Sequence, residues 1–284
     1  MCQTHGQLHA HPYRRSTAAC PSPRERPLRI AIVGKGGAGK TTIAGVLARV
    51  LAERGLRVLA IDADPDANLA STLPLDGKEP PLPLAQQREL LREHRGGAPA
   101  GLFLLNPDVG ELLPKGTASW GGGQALVALG WSKGGGEGCY CDEHALLRRL
   151  LNQASKALAD VTLIDSEAGL EHLSRGTIAG VDLVLVVVEP GRRSFETAKA
   201  VRQLATTLAI RRVLAVVNGC RNAEESREVA GWLVDWPPVA LFPFDDTIRR
   251  ADLEGVPPPV AGDFARRADE LADLVLRLGE DPTQ

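Results

Sequence analysis

The stretch that decides the fold runs Leu28-Arg29-Ile30-Ala31-Ile32-Val33-Gly34-Lys35-Gly36-Gly37-Ala38-Gly39-Lys40-Thr41. Its first half is a short run of β-forming residues that ends in glycine, and its second half satisfies the pattern G-x-x-x-x-G-K-[ST]. Apolar residues of helical period follow as far as Leu51, and Gly55 is placed to end the helix. A strand, a glycine loop and a helix in this order predict a loop that binds the phosphates of a nucleotide.

The residue types of this loop suit that task. Glycines let the backbone turn its N–H groups toward phosphates without a Cβ in the way, and the start of a helix favours negative charge. We expect Lys40 to reach the β- and γ-phosphates and Thr41 to offer its hydroxyl to Mg²⁺. The residues predicted to bind ATP or ADP here are Gly34, Lys35, Gly36, Gly37, Ala38, Gly39, Lys40, Thr41 and Thr42.

Beyond the loop, apolar strands alternate with helices. Continuous runs of Val, Ile and Leu between helices indicate a mostly parallel sheet flanked by helices on both faces, so the predicted fold class is α/β, a P-loop NTPase. The predicted strands are Leu56–Ile61, Val161–Ile164, Val181–Val188 and Val213–Val217, with an extended segment at Pro237–Phe242. The predicted helices are Glu143–Leu158, Leu170–Ile178, Ser194–Leu208, one around Ile248, and Phe264–Leu278.

The composition changes along the chain. Residues 1–27 are rich in Pro, Ser, Arg and His and lack an apolar period, which predicts a disordered tail, although its Cys and His residues could also ligate a metal. Residues 28–284 are predicted to form one P-loop ATPase domain. Within it, residues 72–138 are expected to be an irregular insertion or loop region, with a strand at Leu102–Leu105 and glycine-rich links at Gly121–Gly123 and Gly134–Gly136.

Bulk composition excludes several classes of protein. The formal net charge of -2 shows no basic excess, so a nucleic-acid partner is not expected. No apolar run approaches the roughly 20 residues that cross a bilayer, so neither a membrane partner nor a membrane location is expected and the protein is predicted to be cytoplasmic. Five cysteines, an odd number in a long chain, do not indicate a disulfide framework.

An acidic residue ends one of the predicted strands. Asp165 follows the apolar run Val161–Ile164, and a carboxylate at the end of such a strand can hold Mg²⁺ across the β- and γ-oxygens of a nucleotide, either directly or through water. This is the Walker B role. Asp165 could instead cap the turn that follows it.

A second lysine, Lys35, stands immediately after Gly34 in the glycine loop. On spacing alone it could equally be a solvated surface charge. With this lysine the loop resembles the deviant Walker A motif of the family that contains MinD, ParA and nitrogenase iron protein. The resemblance implies that Lys35 crosses a dimer interface to the nucleotide of the other subunit. It also implies a catalytic set of Lys35, Lys40, Asp64 and Asp165.

Two further segments resemble the nucleotide switches of that family. Asp62-Ala63-Asp64-Pro65 follows the second strand, and the resemblance implies that Asp64 positions the attacking water while Asp62 lies nearer to Mg²⁺. The second switch would run from Asp165 to His172, where Gly169 provides a hinge that a γ-phosphate could order.

The base is expected at a different pair of strand ends. Asn218 follows Val213–Val217, and its amide can both donate to and accept from a purine edge. The resemblance places the adenine there and against Pro243 and Phe244. Asn218 could also do no more than end its strand.

Cys139 and Cys141 stand one residue apart in the run Gly138-Cys139-Tyr140-Cys141. Two thiols cannot complete the four-coordinate sphere that Zn²⁺ prefers, but the two-fold symmetry of a dimer would bring four together. This pair, the loop and the run Asp165 to His172 resemble the CooC-type accessory ATPases that help to insert nickel into carbon monoxide dehydrogenase. The resemblance implies an ATP-dependent homodimer that shares Ni²⁺ or Zn²⁺ through both pairs, with a nickel enzyme as client.

Other functions remain open at this stage. The two cysteines could lie in a flexible loop, form a structural zinc clip, or bridge an iron–sulfur cluster as in an electron-transfer ATPase. A positioning ATPase of the ParA or MinD kind is a further alternative. Membrane binding by Phe264–Leu278 is disfavoured because this helix mixes Arg266 and Arg267 with Asp269, Glu270 and Asp273.

Overall fold

The computed structural model describes residues 27–64, 67–77, 79–83, 117–129, 159–166 and 181–280. Within these residues the chain forms an eight-stranded sheet, and strand β1, Leu28–Gly34, lies inside it. The strand order is β3-β4-β2-β5-β1-β6-β7-β8. Every neighbouring pair is parallel except β3 and β4. The other strands are β2 (Val58–Asp62), β3 (Thr117–Trp120), β4 (Gln124–Ala128), β5 (Val161–Asp165), β6 (Leu183–Val188), β7 (Val213–Cys220) and β8 (Ala240–Pro243).

Five α-helices connect or follow these strands within the described residues. They are α1 (Lys40–Glu53), α2 (Arg192–Thr207), α3 (Ala223–Trp232), α4 (Asp246–Glu254) and α5 (Gly262–Glu280), together with a short 3₁₀ helix at Leu69–Thr72. The predicted segments Leu102–Leu105, Glu143–Leu158 and Leu170–Ile178 lie outside the described residues, as does the tail up to residue 26. No described helix combines the length and the apolar character that crossing a membrane requires.

The strands bury side chains on both faces of the sheet. Along β1, Ile30 and Ile32 belong to one core cluster, which also contains Leu47 of α1 and Leu271 of α5. Ala31 and Val33 belong to the other cluster, with residues of α2 and α3. This is the two-sided burial that continuous apolar strands predict, and it confirms the α/β class with helices on both faces.

One part of the chain differs from its prediction. Residues 117–129, expected to be irregular, form the antiparallel hairpin β3–β4, and β4 pairs in parallel with β2. The three glycines 121–123 are the hairpin turn, and all three have positive φ. Strands of four and five residues around such a turn carry too few β-forming residues to stand out in the sequence.

A smaller difference concerns where β2 begins. It starts at Val58, two residues after the predicted Leu56. Leu56 belongs instead to the end of α1, because its N–H donates to the carbonyl of Leu51 while Gly55 donates to Ala52. Such a closure at a glycine of positive φ is a common helix ending.

The parallel register brings the predicted site residues to one edge. Asp62 and Asp165 are partners on β2 and β5, Gly34 of β1 is the partner of Val187 on β6, and Asn218 of β7 is the partner of Phe242 on β8. In open α/β sheets, ligands bind outside the carboxyl ends of the strands. The candidate site therefore lies along this edge.

Candidate nucleotide site

Gly34 is the point at which the chain leaves the sheet and enters the phosphate loop. Its φ is +152°, and a Cβ built on it would lie 2.4 Å from the carbonyl oxygen of Val187 on the neighbouring strand. A side chain at this position would therefore collide with backbone that cannot move away. The first glycine of the motif is required by packing against β6 before any ligand is considered.

The loop ends at the N-terminus of α1, which has no side-chain cap and no acidic residue in its first turn. Gly39, at the cap position, has left-handed backbone (φ 88°). An uncapped helix start leaves backbone N–H groups free for an anion, and the helix dipole favours negative charge there. This end of α1 has the properties of a phosphate site.

Asn218 stabilises the loop from β7. Its Nδ2 donates to the carbonyl oxygen of Ala38 at 2.8 Å, and a Cβ on Gly39 would lie 2.1 Å from that nitrogen. One amide hydrogen of Asn218 is thus committed to the phosphate loop. The side-chain oxygen and the second hydrogen remain as groups that could meet a purine.

Lys40 and Asp64 reach toward each other from α1 and from the segment after β2. Their closest charged atoms, Lys40 Nζ and Asp64 Oδ2, are 4.0 Å apart, and only 6% and 16% of these side chains are exposed. The distance is long for an ion pair. A nearly buried ammonium with so distant a counter-charge can donate to phosphate oxygens with little competition from Asp64.

Asp165 is a fully buried carboxylate at the end of β5. Neither of its oxygens has a hydrogen-bond partner among the residues described. Burial raises the pKa of Asp165, and the nearby Thr41 hydroxyl and the Lys40 charge oppose the rise; the net pKa is about 6. The Thr41 hydroxyl comes close without reaching hydrogen-bond geometry. Buried carboxylate oxygens without donors, next to a hydroxyl, are hard ligands that fit Mg²⁺.

Asp62 has a different environment. Its Oδ2 accepts from the N–H of Leu69 at 2.7 Å and its Oδ1 from the N–H of Asp64 at 3.1 Å, so both oxygens are used by the segment that follows β2. Burial raises the pKa of Asp62 to about 7, and the charge of Asp165 adds to the rise. Through the Oδ1 contact Asp62 also positions the backbone of Asp64, and its place nearer to Mg²⁺ stays a prediction.

Lys35 lies at the rim of the loop. Its Nζ is 2.7 Å from Glu189 Oε1 of the same chain, and the side chains are 37% and 32% exposed. Glu189 comes directly after β6, the strand paired with β1. Glu189 was not among the residues predicted from the sequence, although an acidic residue directly after an apolar strand is the same signal that identified Asp165.

Pro243 and Phe244 lie beside the strand end that carries Asn218. Cys220 and Pro243 are register partners, with a bulge at Gly219, and the N–H of Phe244 donates to the carbonyl of Cys220 at 2.8 Å. The guanidinium of Arg221 lies over the Phe244 ring, 5.2 Å from its centroid. The structure therefore brings together the groups predicted to meet the base, and it adds Arg221, which sequence reasoning missed.

The predicted metal-binding thiols belong to a part of the chain that the structure does not describe. Cys139 and Cys141 lie outside the described residues, as does the second switch from residue 167 onward. Within the residues that are described, no three His, Cys, Asp or Glu side chains form a group that could hold a metal ion. A magnesium site of the phosphate-loop kind does not need one, since Mg²⁺ is commonly held by one or two carboxylates plus phosphates and water.

Sequence comparison relates the chain to known proteins over most of its length. Residues 30–258 match the family model of the CobQ/CobB/MinD/ParA nucleotide binding domain. The carbon monoxide dehydrogenase accessory protein CooC of Rhodospirillum rubrum is 38% identical, over 90% of this chain and 99% of the relative. An uncharacterised ATP-binding protein of Methanocaldococcus jannaschii is 33% identical, over 88% of this chain and 98% of the relative.

Solved structures give the same assignment of fold. The cell division ATPase MinD of Pyrococcus furiosus superposes with a TM-score of 0.61 and 25% identity, covering 90% of this chain and 100% of that one. A ParA family ATPase from Chlorobium tepidum superposes with a TM-score of 0.62 at 18% identity, covering 89% and 99%. The latter is a likeness in fold alone.

Proposed function

Because this chain belongs to the family of CobQ/CobB/MinD/ParA nucleotide binding domains, as a CooC-type ATPase, we propose that it serves the maturation of a nickel-dependent carbon monoxide dehydrogenase or a related nickel enzyme. ATP brings two copies together, the Cys139 and Cys141 pairs of both copies then bind Ni²⁺ or Zn²⁺, and hydrolysis separates the copies and releases the metal. The metal is cargo in this cycle.

The observation that carries the proposal is the relationship to the carbon monoxide dehydrogenase accessory protein of Rhodospirillum rubrum. At 38% identity, over 90% of this chain and 99% of the relative, it covers the nucleotide loop and the region of both cysteines together. A shared nucleotide loop alone would support only an ATPase. The agreement over whole chains supports the same kind of client.

Nucleotide binding follows from the loop geometry. The uncapped N-terminus of α1 and the nearly buried Lys40 attract the triphosphate, and Asn218 keeps the loop in shape through Ala38. Thr41 and Asp165 are the groups that would hold Mg²⁺, which when bound neutralises charge on the β- and γ-oxygens. The exposed glycines 36 and 37 leave the loop open to the nucleotide.

Hydrolysis needs a water aligned on the γ-phosphate. Asp64 is the carboxylate proposed to orient it, because it lies beside Lys40 at the mouth of the loop and is largely but not fully buried. Asp62 holds the backbone N–H of Asp64 at 3.1 Å and so limits where this carboxylate can move. Positioning of this kind supplies much of the acceleration in phosphoryl transfer.

Metal and nucleotide become linked ligands in such a cycle. Two cysteines per chain give an incomplete site, and a second copy completes it. Whatever binds only the paired state favours that state for the other ligand, and this coupling has to act equally in both directions. Ni²⁺ should therefore strengthen ATP binding to the same degree as ATP strengthens binding of Ni²⁺.

The metal site is tested by replacing both thiols. The variant Cys139→Ser/Cys141→Ser should lose stoichiometric nickel in the presence of Mg²⁺ and a non-hydrolysable ATP analogue, and it should bind the analogue as the wild type does. Elemental analysis after gel filtration measures the metal. Cys2→Ser/Cys20→Ser is the matched control, since it removes two thiols from the tail and should keep the nickel.

Unchanged nickel content in Cys139→Ser/Cys141→Ser would refute the shared site. A loss confined to the tail variant would move the metal to the N-terminal Cys and His residues. Visible absorbance of anaerobically purified protein would instead indicate an iron–sulfur cluster, in place of a single ion, between the two copies.

A further inference from the structure

We propose that Glu189 holds Lys35 in the nucleotide-free subunit and gives it up to the triphosphate, so that a carboxylate and the phosphates compete for one ammonium group. This inference rests on the proposed function, in which ATP pairs two copies, and on the expectation from the sequence that Lys35 contacts the nucleotide of the other copy. Glu189 is in this sense a positioning residue, because it acts on the nucleotide only through Lys35.

The sheet brings the two residues together. Gly34 and Val187 are register partners on β1 and β6, so the chain leaves both strands side by side at the same edge. Lys35 is the first residue after β1 and Glu189 the first after β6. Their charged atoms, Lys35 Nζ and Glu189 Oε1, are 2.7 Å apart. The ion pair therefore follows from the strand pairing that forms the phosphate loop.

The backbone of Glu189 is fixed without help from its side chain. Its N–H donates at 3.0 Å to the hydroxyl of Ser194, which is 1% exposed, and the N–H groups of Ser194 and Phe195 both donate to the carbonyl of Gly191. The turn into α2 is thus complete before the carboxylate is considered. The carboxylate is free to serve Lys35, and removing its charge should not disturb the turn.

The Lys35–Glu189 ion pair is weak enough for Lys35 to be transferred to a nucleotide. Both side chains are about one-third exposed, and a pair of that kind shifts an equilibrium by about two- to fivefold. Hydrogen bonds from an ammonium to phosphate oxygens are strong, and a triphosphate offers more of them than one carboxylate. Glu189 can therefore restrain Lys35 in the empty protein without preventing its transfer to a nucleotide.

Lys40, the other lysine of the loop and the one expected to contact the β- and γ-phosphates, offers a comparison with Lys35. Its side chain is 6% exposed, and its ammonium lies 4.0 Å from its counter-charge on Asp64, a long distance for an ion pair. Lys35 is more exposed, and its ammonium donates to Glu189 at 2.7 Å and, at the longer distance of 3.5 Å, to the carbonyl of Gly36. Within one loop the two lysines thus differ in exposure and in the distance to their counter-charge, and the close counter-charge of Lys35 is Glu189.

The first experiment measures restraint in the absence of nucleotide. Lysine acetylation by a soluble succinimidyl ester, followed by mass spectrometry, should label Lys35 about two- to fivefold faster in Glu189→Gln than in the wild type. Glu196→Gln is the matched control, since Glu196 lies on α2 and pairs with Lys199 at 3.3 Å. It should change labelling of Lys199 and leave Lys35 as it is.

The second experiment measures competition. In Mg²⁺ and the non-hydrolysable analogue AMPPNP, the midpoint for nucleotide binding should fall by about two- to fivefold in Glu189→Gln. The same substitution in a Lys35→Ala background should produce no change, because no ammonium remains to be released. A general structural effect of Glu189→Gln would survive the loss of Lys35.

Equal labelling of Lys35 in wild type and Glu189→Gln overturns the inference, and so does a midpoint that is unchanged or that shifts equally in the Lys35→Ala background. Failure of the proposed function has a different signature: light scattering would show monomers at saturating AMPPNP. Labelling in the absence of nucleotide needs no dimer, so it decides on the restraint of Lys35 by Glu189 in that case as well.

Discussion

Lys40 and Asp64, whose charged atoms are 4.0 Å apart, have separate proposed roles in nucleotide binding and in hydrolysis. Removing Lys40 takes away the ammonium that attracts the triphosphate, so Lys40→Ala should bind nucleotide poorly or not at all. Asp64→Asn keeps the shape of the side chain and the charge of Lys40. It should bind nucleotide normally and hydrolyse it about 100-fold or more slowly.

These two variants are compared by nucleotide titration and by phosphate release under saturation. Full turnover by Asp64→Asn would show that another group positions the water. Normal binding by Lys40→Ala would contradict the assignment of the loop itself.

Asp165 predicts a dependence of stability on pH. Its pKa is raised from 3.8 to about 6, so the folded state holds the proton more tightly than the unfolded state. The contribution of Asp165 to stability should therefore fall as the pH rises from about 4 to about 6 and change little at higher pH. Without nucleotide and Mg²⁺, Asp165→Asn should be more stable by about 1–3 kcal/mol at pH 8, and this advantage should vanish near pH 4.

Urea unfolding in EDTA at several pH values measures that difference. Asp62 should add to it, since the charge of Asp165 contributes to the raised pKa of Asp62. If the stability advantage of Asp165→Asn were the same at pH 4 and pH 8, burial would not raise the pKa of Asp165 in the folded state.

Among the helices and strands, those with long apolar runs or periods could be predicted from the sequence. β1, α1, β6 and α2 lie within a few residues of their predicted bounds because each has a continuous run or a clear helical period. The hairpin β3–β4 was missed because pairing of β4 with β2, which no local pattern reveals, places it in the sheet. Tertiary context determined that element.

The junction of β1 and β6 gives a sharp test at this scale. Gly34→Ala should cost about 2 kcal/mol or more of unfolding free energy, because the added Cβ would lie 2.4 Å from the Val187 carbonyl oxygen at a φ of +152°. Gly36→Ala is the matched control two residues away, where a Cβ would meet nothing within 4 Å.

Denaturant unfolding of both variants decides the matter. Gly36→Ala should stay within about 0.5 kcal/mol of the wild type. If the two substitutions were equally mild, the close approach of β1 and β6 would not be as described, and the loop would lack the anchor that also brings Lys35 to Glu189.

For the whole molecule, the carboxyl edge of the sheet unites parts that lie far apart in the sequence. Asp62 and Asp165 are the last residues of β2 and β5, Asn218 lies near the end of β7, and the order of the strands brings them to the edge that carries the loop. The sequence predicted the members of this site because each ends an apolar run. It did not reveal the pairing of Lys35 with Glu189 or of Arg221 with Phe244, since both depend on which strands are neighbours.

The pairing of two chains by ATP is tested most directly by the mass of the purified protein in solution with and without nucleotide. We expect one chain of 30.2 kDa without nucleotide and a species of twice that mass with saturating Mg²⁺ and AMPPNP, whereas Lys40→Ala stays a single chain in both conditions. Light scattering coupled to gel filtration gives the mass, and bound nucleotide per chain confirms saturation. A wild-type protein that is saturated with AMPPNP and still has the mass of one chain would contradict the account.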